Sequence, residues 1–308
     1  MPRFSRPDIP VADTADNDPR VGRLLARTPS GDGAPKAVIL GFPSDEGVRR
    51  NQGRTGATAG PDAIRRCLYR FTPGSEEVAS LLEQSRDLGD LELGGDMAKN
   101  QQLLGETVAS WLVRDTVVVI LGGGHETGYG HFLGYVAAAR RVRIVNIDAH
   151  ADVRELRDGK GHSGSPFRQA LEHDSGLCAG YTVVGLQHQS NATAHLEYLR
   201  RAAARFVFAE NVDRPLIDDL YQDEGKAVLA TFCLDAVDQT FAPGVSAPAA
   251  GGLPTSLWLH AARQAGQSAS VHSMDIVELN PRFDQDDHTA RLAALTVLQF
   301  LRGLTERR

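Results

Sequence analysis

Four apolar runs in this chain end in the same way. TVVVI (116–120) passes into LGGGHE, RVRIV (141–145) into NIDAHAD, KAVLA (226–230) into TFCLD, and VHSM (271–274) into DIVE. Each run is short, apolar and β-rich, and each predicts a strand. AVILGF (37–42), YTVVGLQ (181–187) and RFVFA (205–209) read the same way. Between the runs lie stretches of helical period at 61–71, 75–86, 100–112, 130–141, 195–206, 254–266 and 288–304. Strands alternating with helices predict βαβ units, and so an α/β fold with a mainly parallel central sheet and helices on both faces.

Residues 1–34 are rich in Pro, Asp, Gly and Arg and read as an N-terminal arm, with a short helix near VGRLLAR (21–27). Neither a linker nor a repeat divides the remainder of the chain, so 35–308 is expected to be a single catalytic domain. The chain's 33 Lys+Arg against 39 Asp+Glu give a net charge of −6, which argues against a nucleic-acid partner. No apolar run reaches the length of a membrane span, and the N-terminus lacks the apolar centre of a signal peptide. A cytoplasmic protein that does not engage membranes is expected. Cys67, Cys178 and Cys233 are widely spaced and are expected to be reduced.

In open parallel sheets ligands bind beyond the carboxyl ends of the strands. That rule sends His125, Asp148, His150, Asp152, Cys233, Asp235 and Glu278 to one edge of the sheet. In DAHAD an extended backbone would project Asp148, His150 and Asp152 from one side. Two carboxylates and an imidazole there suit divalent cations, the alternative being a buried histidine among solvated aspartates. LGGGHE lacks the GK[ST] of a phosphate loop, so its glycines suit either close backbone approach beside a ligating His125 or a simple tight turn. GKGHSGSPFRQ (159–169) reads as a mobile loop carrying His162, a candidate proton shuttle, ahead of a helix starting near Pro166. Cys233 and Asp235, two apart at a strand end, should face one spot.

With these motifs assembled, the chain resembles the ureohydrolase superfamily of arginases, agmatinases and formimidoylglutamases. The elements G-G-x-H, D-A-H-x-D, D-x-x-D-x-x-F-x-P and D-I-V-E-x-N-P succeed one another between residues 121 and 281. Stretches 41–68, 148–154, 162–169, 185–191 and 237–244 look most like the formimidoylglutamase branch. The resemblance implies a three-layer arginase-like α/β fold, a homo-oligomer (trimer or hexamer), and two divalent metal ions, usually Mn2+. It implies hydrolysis of a C–N bond in a small amidine, here N-formimidoyl-L-glutamate to L-glutamate and formamide in histidine degradation. An agmatinase-like guanidino or amidino hydrolase is the alternative. Carried over by position, His125 and Asp152 would hold one metal, His150 and Asp235 the other, and Asp148 would bridge them. His162 and Asp152 would move protons, and Glu278 would bind the cationic amidine.

For the substrate's carboxylates the candidates are Arg54 and Arg168, with Arg49 and Arg50 behind them and Asn191 or Gln187 adding hydrogen bonds. Asp238 would take a supporting or turn role. One position departs from the family, because Cys233 stands where the pattern has a metal-bridging aspartate. A thiolate there would favour a softer metal. An uncharged thiol would leave one cation poorly held, and a merely space-filling cysteine would leave reduced or no activity.

Overall fold

The computed structural model describes residues 2–6, 8–11, 15, 17–26, 33–222 and 226–307. Among them are nine strands in one sheet: β1 (Phe4–Ser5), β2 (Ala37–Phe42), β3 (Arg86–Leu91), β4 (Val117–Gly122), β5 (Val142–Ile147), β6 (Cys178–Leu186), β7 (Arg205–Phe208), β8 (Ala227–Cys233) and β9 (Val271–Val277). The spatial order is β1-β3-β2-β4-β9-β8-β5-β6-β7, and every pairing is parallel except β1 on β3. The seven expected strands are all present.

Strand alternation builds two apolar layers. Ile39, Val119, Leu121, Val145 and Ile147 face helices Gly60–Leu68, Thr255–Gln267 and His288–Leu304, while Val38, Leu40, Val118, Ile120 and Ile144 face helices Met97–Leu112 and Thr127–Ala137. The result is a three-layer α/β fold, and the sheet is buried on both faces, as a continuous apolar strand requires. Truncating one such buried side chain to Ala costs about 2–5 kcal/mol.

The strand order places the site. β4 leads through helix Thr127–Ala137 to β5, which lies on the far side of a gap two strands wide. The last two strands, β8 and β9, fill that gap. The four strands ending in chemistry-bearing residues therefore sit side by side as β4-β9-β8-β5, at the point where the winding reverses.

Three departures have local causes. The expected helix 75–86 stops at Glu83, and Arg86–Leu91 is an unexpected strand. Its sequence RDLGDL hides it because Asp87 and Asp90 are held by the buried Arg65, with Asp87 also accepting from Tyr69 Oη at 2.9 Å. Part of the N-terminal arm is an edge strand, Phe4–Ser5, and the expected short helix spans Val21–Ala26. The rest of the arm falls partly outside the described residues. Finally, β8 ends at Cys233, and Asp235 sits in a single 3-10 turn, Leu234–Ala236, rather than on the strand.

Candidate metal centre

Asp148 stands at the middle of the carboxyl edge, fully buried, one residue past β5. Its two oxygens serve different imidazoles. Oδ2 lies 3.0 Å from His125 Nδ1, and Oδ1 lies 3.4 Å from His150 Nδ1. Asp152 Oδ2 completes the first group at 2.9 Å from His125 Nδ1, and Asp235 Oδ2 the second at 3.7 Å from His150 Nδ1. Two imidazole–carboxylate sets thus share one bridging carboxylate.

DAHAD does not reach this arrangement by simple alternation, because the chain bends after Ile147 and Asp152 adopts φ 48°. Glu278, just past β9, has φ 70°. Left-handed backbone at residues other than glycine costs on the order of 1–3 kcal/mol each, and the surrounding contacts hold both in place. Asn191 fixes the ligand loop by accepting from Ala151 N and donating to Ala149 O and Gln187 O, each at 2.8 Å. The triple glycine is required by close approach: a side chain at Gly123 would collide with the Ser44 carbonyl, which accepts from Gly124 N at 2.7 Å.

His125 is oriented from behind. Its Nε2 lies 3.0 Å from Thr231 Oγ1, which donates to Asp275 Oδ1 at 2.6 Å. With the Thr231 proton committed to Asp275, Nε2 is the donor, so in the neutral ring that would bind a cation Nδ1 carries the lone pair. That lone pair faces two carboxylate oxygens off-line, and Nδ1 is buried with no hydrogen-bond partner. An unpaired lone pair among anionic oxygens is a place for a cation, and imidazole with carboxylates is a donor set for divalent ions.

The charge balance agrees. Burial opposes charge on His125, yet Asp148 and Asp152 raise its pKa, while burial opposes charge on His150 and Asp148, Asp235 and Asp152 raise it to about 9. Burial would raise Asp148, but the two imidazoles beside it hold it below the ordinary carboxylate range. Burial and the Glu278 charge push Asp235 up, and burial with Asp148, Asp235 and Glu278 pushes the Cys233 thiol up. Without metal, protons supply the positive charge this site lacks.

Glu278 Oε1 accepts from His125 N at 2.7 Å, and its Oε2 is buried without a partner. A cavity of about 110 Å3 opens here, lined among others by His125, His150, Asp152, Cys233, Asp235 and Glu278. Asn51, Arg154 and Ser163 line it too. Arg154, whose Nη1 donates to Asn51 Oδ1 at 3.3 Å, also lines a second cavity of about 550 Å3 with Arg157, His162, Arg168, His195 and Arg201.

The other expected substrate contacts stand elsewhere. Arg54 gives its guanidinium to the carbonyls of Val245 and Ser246 and lies over Phe283. Arg168 pairs with Glu172 and Glu155 in the second cavity. Arg49 and Arg50 pair with Glu46, Gln187 donates to Ala250 O, and Asn191 serves the ligand loop. His162 is buried in the wall of the second cavity, with Nε2 2.9 Å from Glu155 O and Nδ1 accepting from Gly164 N. Asp238 takes a turn role, accepting from Thr240 N and Gly251 N. Arg154 was missed although it lies two residues past DAHAD. So was Glu126, buried beside His125, pushed up to about 8 by burial and the Glu278 charge, and accepting from Ser44 Oγ and Gly47 N.

The chain belongs to the arginase family, whose sequence pattern matches residues 35–302. Within it, the chain is similar to formimidoylglutamases. One from Rhodococcus jostii is 39% identical, covering 87% of this chain and 87% of that one, and one from Lysinibacillus sphaericus is 36% identical, covering 92% and 90%. The crystal structure of Trypanosoma cruzi formiminoglutamase with Mn2+2 superposes with a TM-score of 0.85 at 30% identity, covering 94% of this chain and all of that one. No helix among the described residues is long and apolar enough to cross a membrane.

Proposed function

We propose that this chain is a metal-dependent formimidoylglutamase, hydrolysing N-formimidoyl-L-glutamate to L-glutamate and formamide. The observation that carries the reading is Glu278 Oε2, a buried carboxylate oxygen without a partner, on the wall of a cavity lined by both imidazole–carboxylate sets. An amidinium N–H is the complement of that oxygen.

His125, Asp152 and Asp148 Oδ2 would hold one divalent cation, and His150, Asp235 and Asp148 Oδ1 the other. Mn2+, carried by the Trypanosoma cruzi relative, is the starting expectation. When bound, such a pair acidifies water near neutral pH and offsets charge developing at the reacting carbon. Glu278 orients the amidinium, and its own orientation is fixed by His125 N. Asp152 is the nearer group to carry a proton to the departing amine. His162 joins it only by releasing the Glu155 carbonyl. Arg154, on the wall of both cavities, is placed to receive a substrate carboxylate whose chain extends out of the smaller one.

The same proposal has residues 35–308 acting as one catalytic unit in a cytoplasmic homo-oligomer, a trimer or hexamer. Three free thiols, Cys67, Cys178 and Cys233, suit a reducing compartment, and sedimentation tests the assembly. The activity is tested by formamide release from N-formimidoyl-L-glutamate with protein loaded in parallel with Mn2+, Co2+ or Zn2+, beside agmatine and arginine. Turnover of a guanidine alone overturns the substrate, and metal-loaded protein that turns over none of them overturns the activity.

A further inference from the structure

Cys233 is the last residue of β8 and is 1% exposed, but it belongs to neither apolar core. A buried cysteine that only fills space packs among hydrocarbon, as Phe232 and Leu234 on either side of it do. The thiol instead lines the cavity beside His125, His150, Asp152, Asp235 and Glu278.

The sulfur also has a specific set of neighbours. Donor atoms of Cys233, His125 and Asp148 all lie within 4.8 Å of one another, and all three residues are buried. Donors sharing one tetrahedral cation at about 2.0–2.3 Å stand roughly 3.3–3.8 Å apart, so closure by up to about 1 Å brings the three onto one ion. A second, independent feature points to the same spot: His125 Nδ1, fully buried and lacking a hydrogen-bond partner, is held toward it by the Thr231 contact behind the ring.

We propose that Cys233 Sγ is a ligand of the cation on the His125 side, making that half of the centre select a thiophilic dication such as Zn2+, Co2+ or Fe2+ over Mn2+. The proposal rests on the two-cation reading above. Binding forms the metal–sulfur bond and releases the thiol proton to solvent. The donor set becomes one imidazole nitrogen, one thiolate and the carboxylates of Asp148 and Asp152. Thiolate and imidazole suit the softer ions, whereas carboxylate suits Mn2+. The other half, with His150, Asp235 and Asp148 Oδ1, has no sulfur and stays hard, so the two positions differ in preference.

Cobalt reads this directly. Metal-free protein is titrated with Co2+, bound metal is counted by mass spectrometry, and the near-ultraviolet region is scanned for sulfur-to-cobalt charge transfer. The expected result is a charge-transfer band in the native chain that disappears in both Cys233→Ser and Cys233→Asp, while visible ligand-field bands persist. In competition, Cys233→Asp should shift preference from Zn2+ toward Mn2+ by roughly tenfold or more. Two cobalt ions bound to the native chain with no charge-transfer band would overturn the thiolate ligand and leave the two-cation reading standing. Failure to bind cobalt at all would overturn both. The native spectrum decides the matter even if one variant fails to fold.

Discussion

Thr231→Val changes shape little and removes one hydroxyl from the chain of contacts behind His125. That hydroxyl accepts from His125 Nε2 at 3.0 Å and donates to Asp275 Oδ1 at 2.6 Å, in a region of no solvent exposure. Losing it strands a buried imidazole N–H and a buried carboxylate oxygen, each costing roughly 1–3 kcal/mol. Asp275 keeps its second partner, His131 Nδ1 at 2.7 Å, so the damage stops there. We expect metal-free Thr231→Val to lose about 2–6 kcal/mol in urea unfolding, with Thr231→Ser, which keeps the hydroxyl, close to the native chain. His125 also loses the contact that fixes its tautomer and aims Nδ1 at Asp148 and Asp152. Groups that orient a metal-bound histidine are worth about 10–100-fold in affinity, so chelator competition should show weaker Mn2+ or Zn2+ binding of that size. Stability within about 0.5 kcal/mol of native together with unchanged affinity would refute the reasoning. A loss of stability alone would confine Thr231 to holding the sheet together.

Three other outcomes are expected from the same geometry. Arg154→Gln should raise KM for the dicarboxylate substrate roughly 10–100-fold, the worth of about 1.5–3 kcal/mol for a charged hydrogen bond, with kcat changed much less; steady-state formamide assays check this. Arg54→Ala should instead cost stability, about 1–3 kcal/mol, and leave KM within about twofold, because its guanidinium is committed to the Val245 and Ser246 carbonyls. For pH, His150 is raised from 6.5 to about 9 and Glu126 from 4.5 to about 8. Both folded values lie above the unfolded ones, so their stabilisation is complete below the unfolded pKa and is lost as pH rises through the folded one. Metal-free protein should therefore lose melting temperature between about pH 4.5 and 9, Glu126 contributing from about 4.5 to 8 and His150 from about 6.5 to 9. Metal-loaded protein should gain on it over that range, because fewer protons compete for the ligands, and calorimetry at several pH values compares the two.

Much of the layout was legible because the strands are buried on both faces and carry continuous apolar runs, which leave little ambiguity. The exceptions share a cause. RDLGDL is a strand whose polarity is answered by Arg65 in helix Gly60–Leu68, and no local pattern can show such a partner. The same limit applied to the arginines. Arg54, Arg154 and Arg168 are alike as letters; what separates them is that two are committed to carbonyls or carboxylates and one lies on the wall of the smaller cavity beside His125 and His150.

DAHAD is the instructive case, because periodicity brought the right residues together by a geometry the chain does not use. An extended segment would place Asp148, His150 and Asp152 in a row on one side. A row can serve one cation, but it cannot turn two oxygens of a single carboxylate toward two different imidazoles. The chain instead leaves the strand at Ile147, bends, and adopts left-handed backbone at Asp152 to carry that carboxylate back to His125. Glu278 makes the same kind of turn at the end of β9, which sets Oε1 on His125 N and leaves Oε2 free over the cavity. Both strained residues act on His125, one at its ring and one at its backbone, while Thr231 holds the ring from behind. The His125 side is therefore the more rigidly built half of the centre, and it is also the half where the sulfur of Cys233 is found. Selectivity between metals requires donors that cannot rearrange to suit each ion, so a change of donor here should alter metal choice more than the same change beside His150.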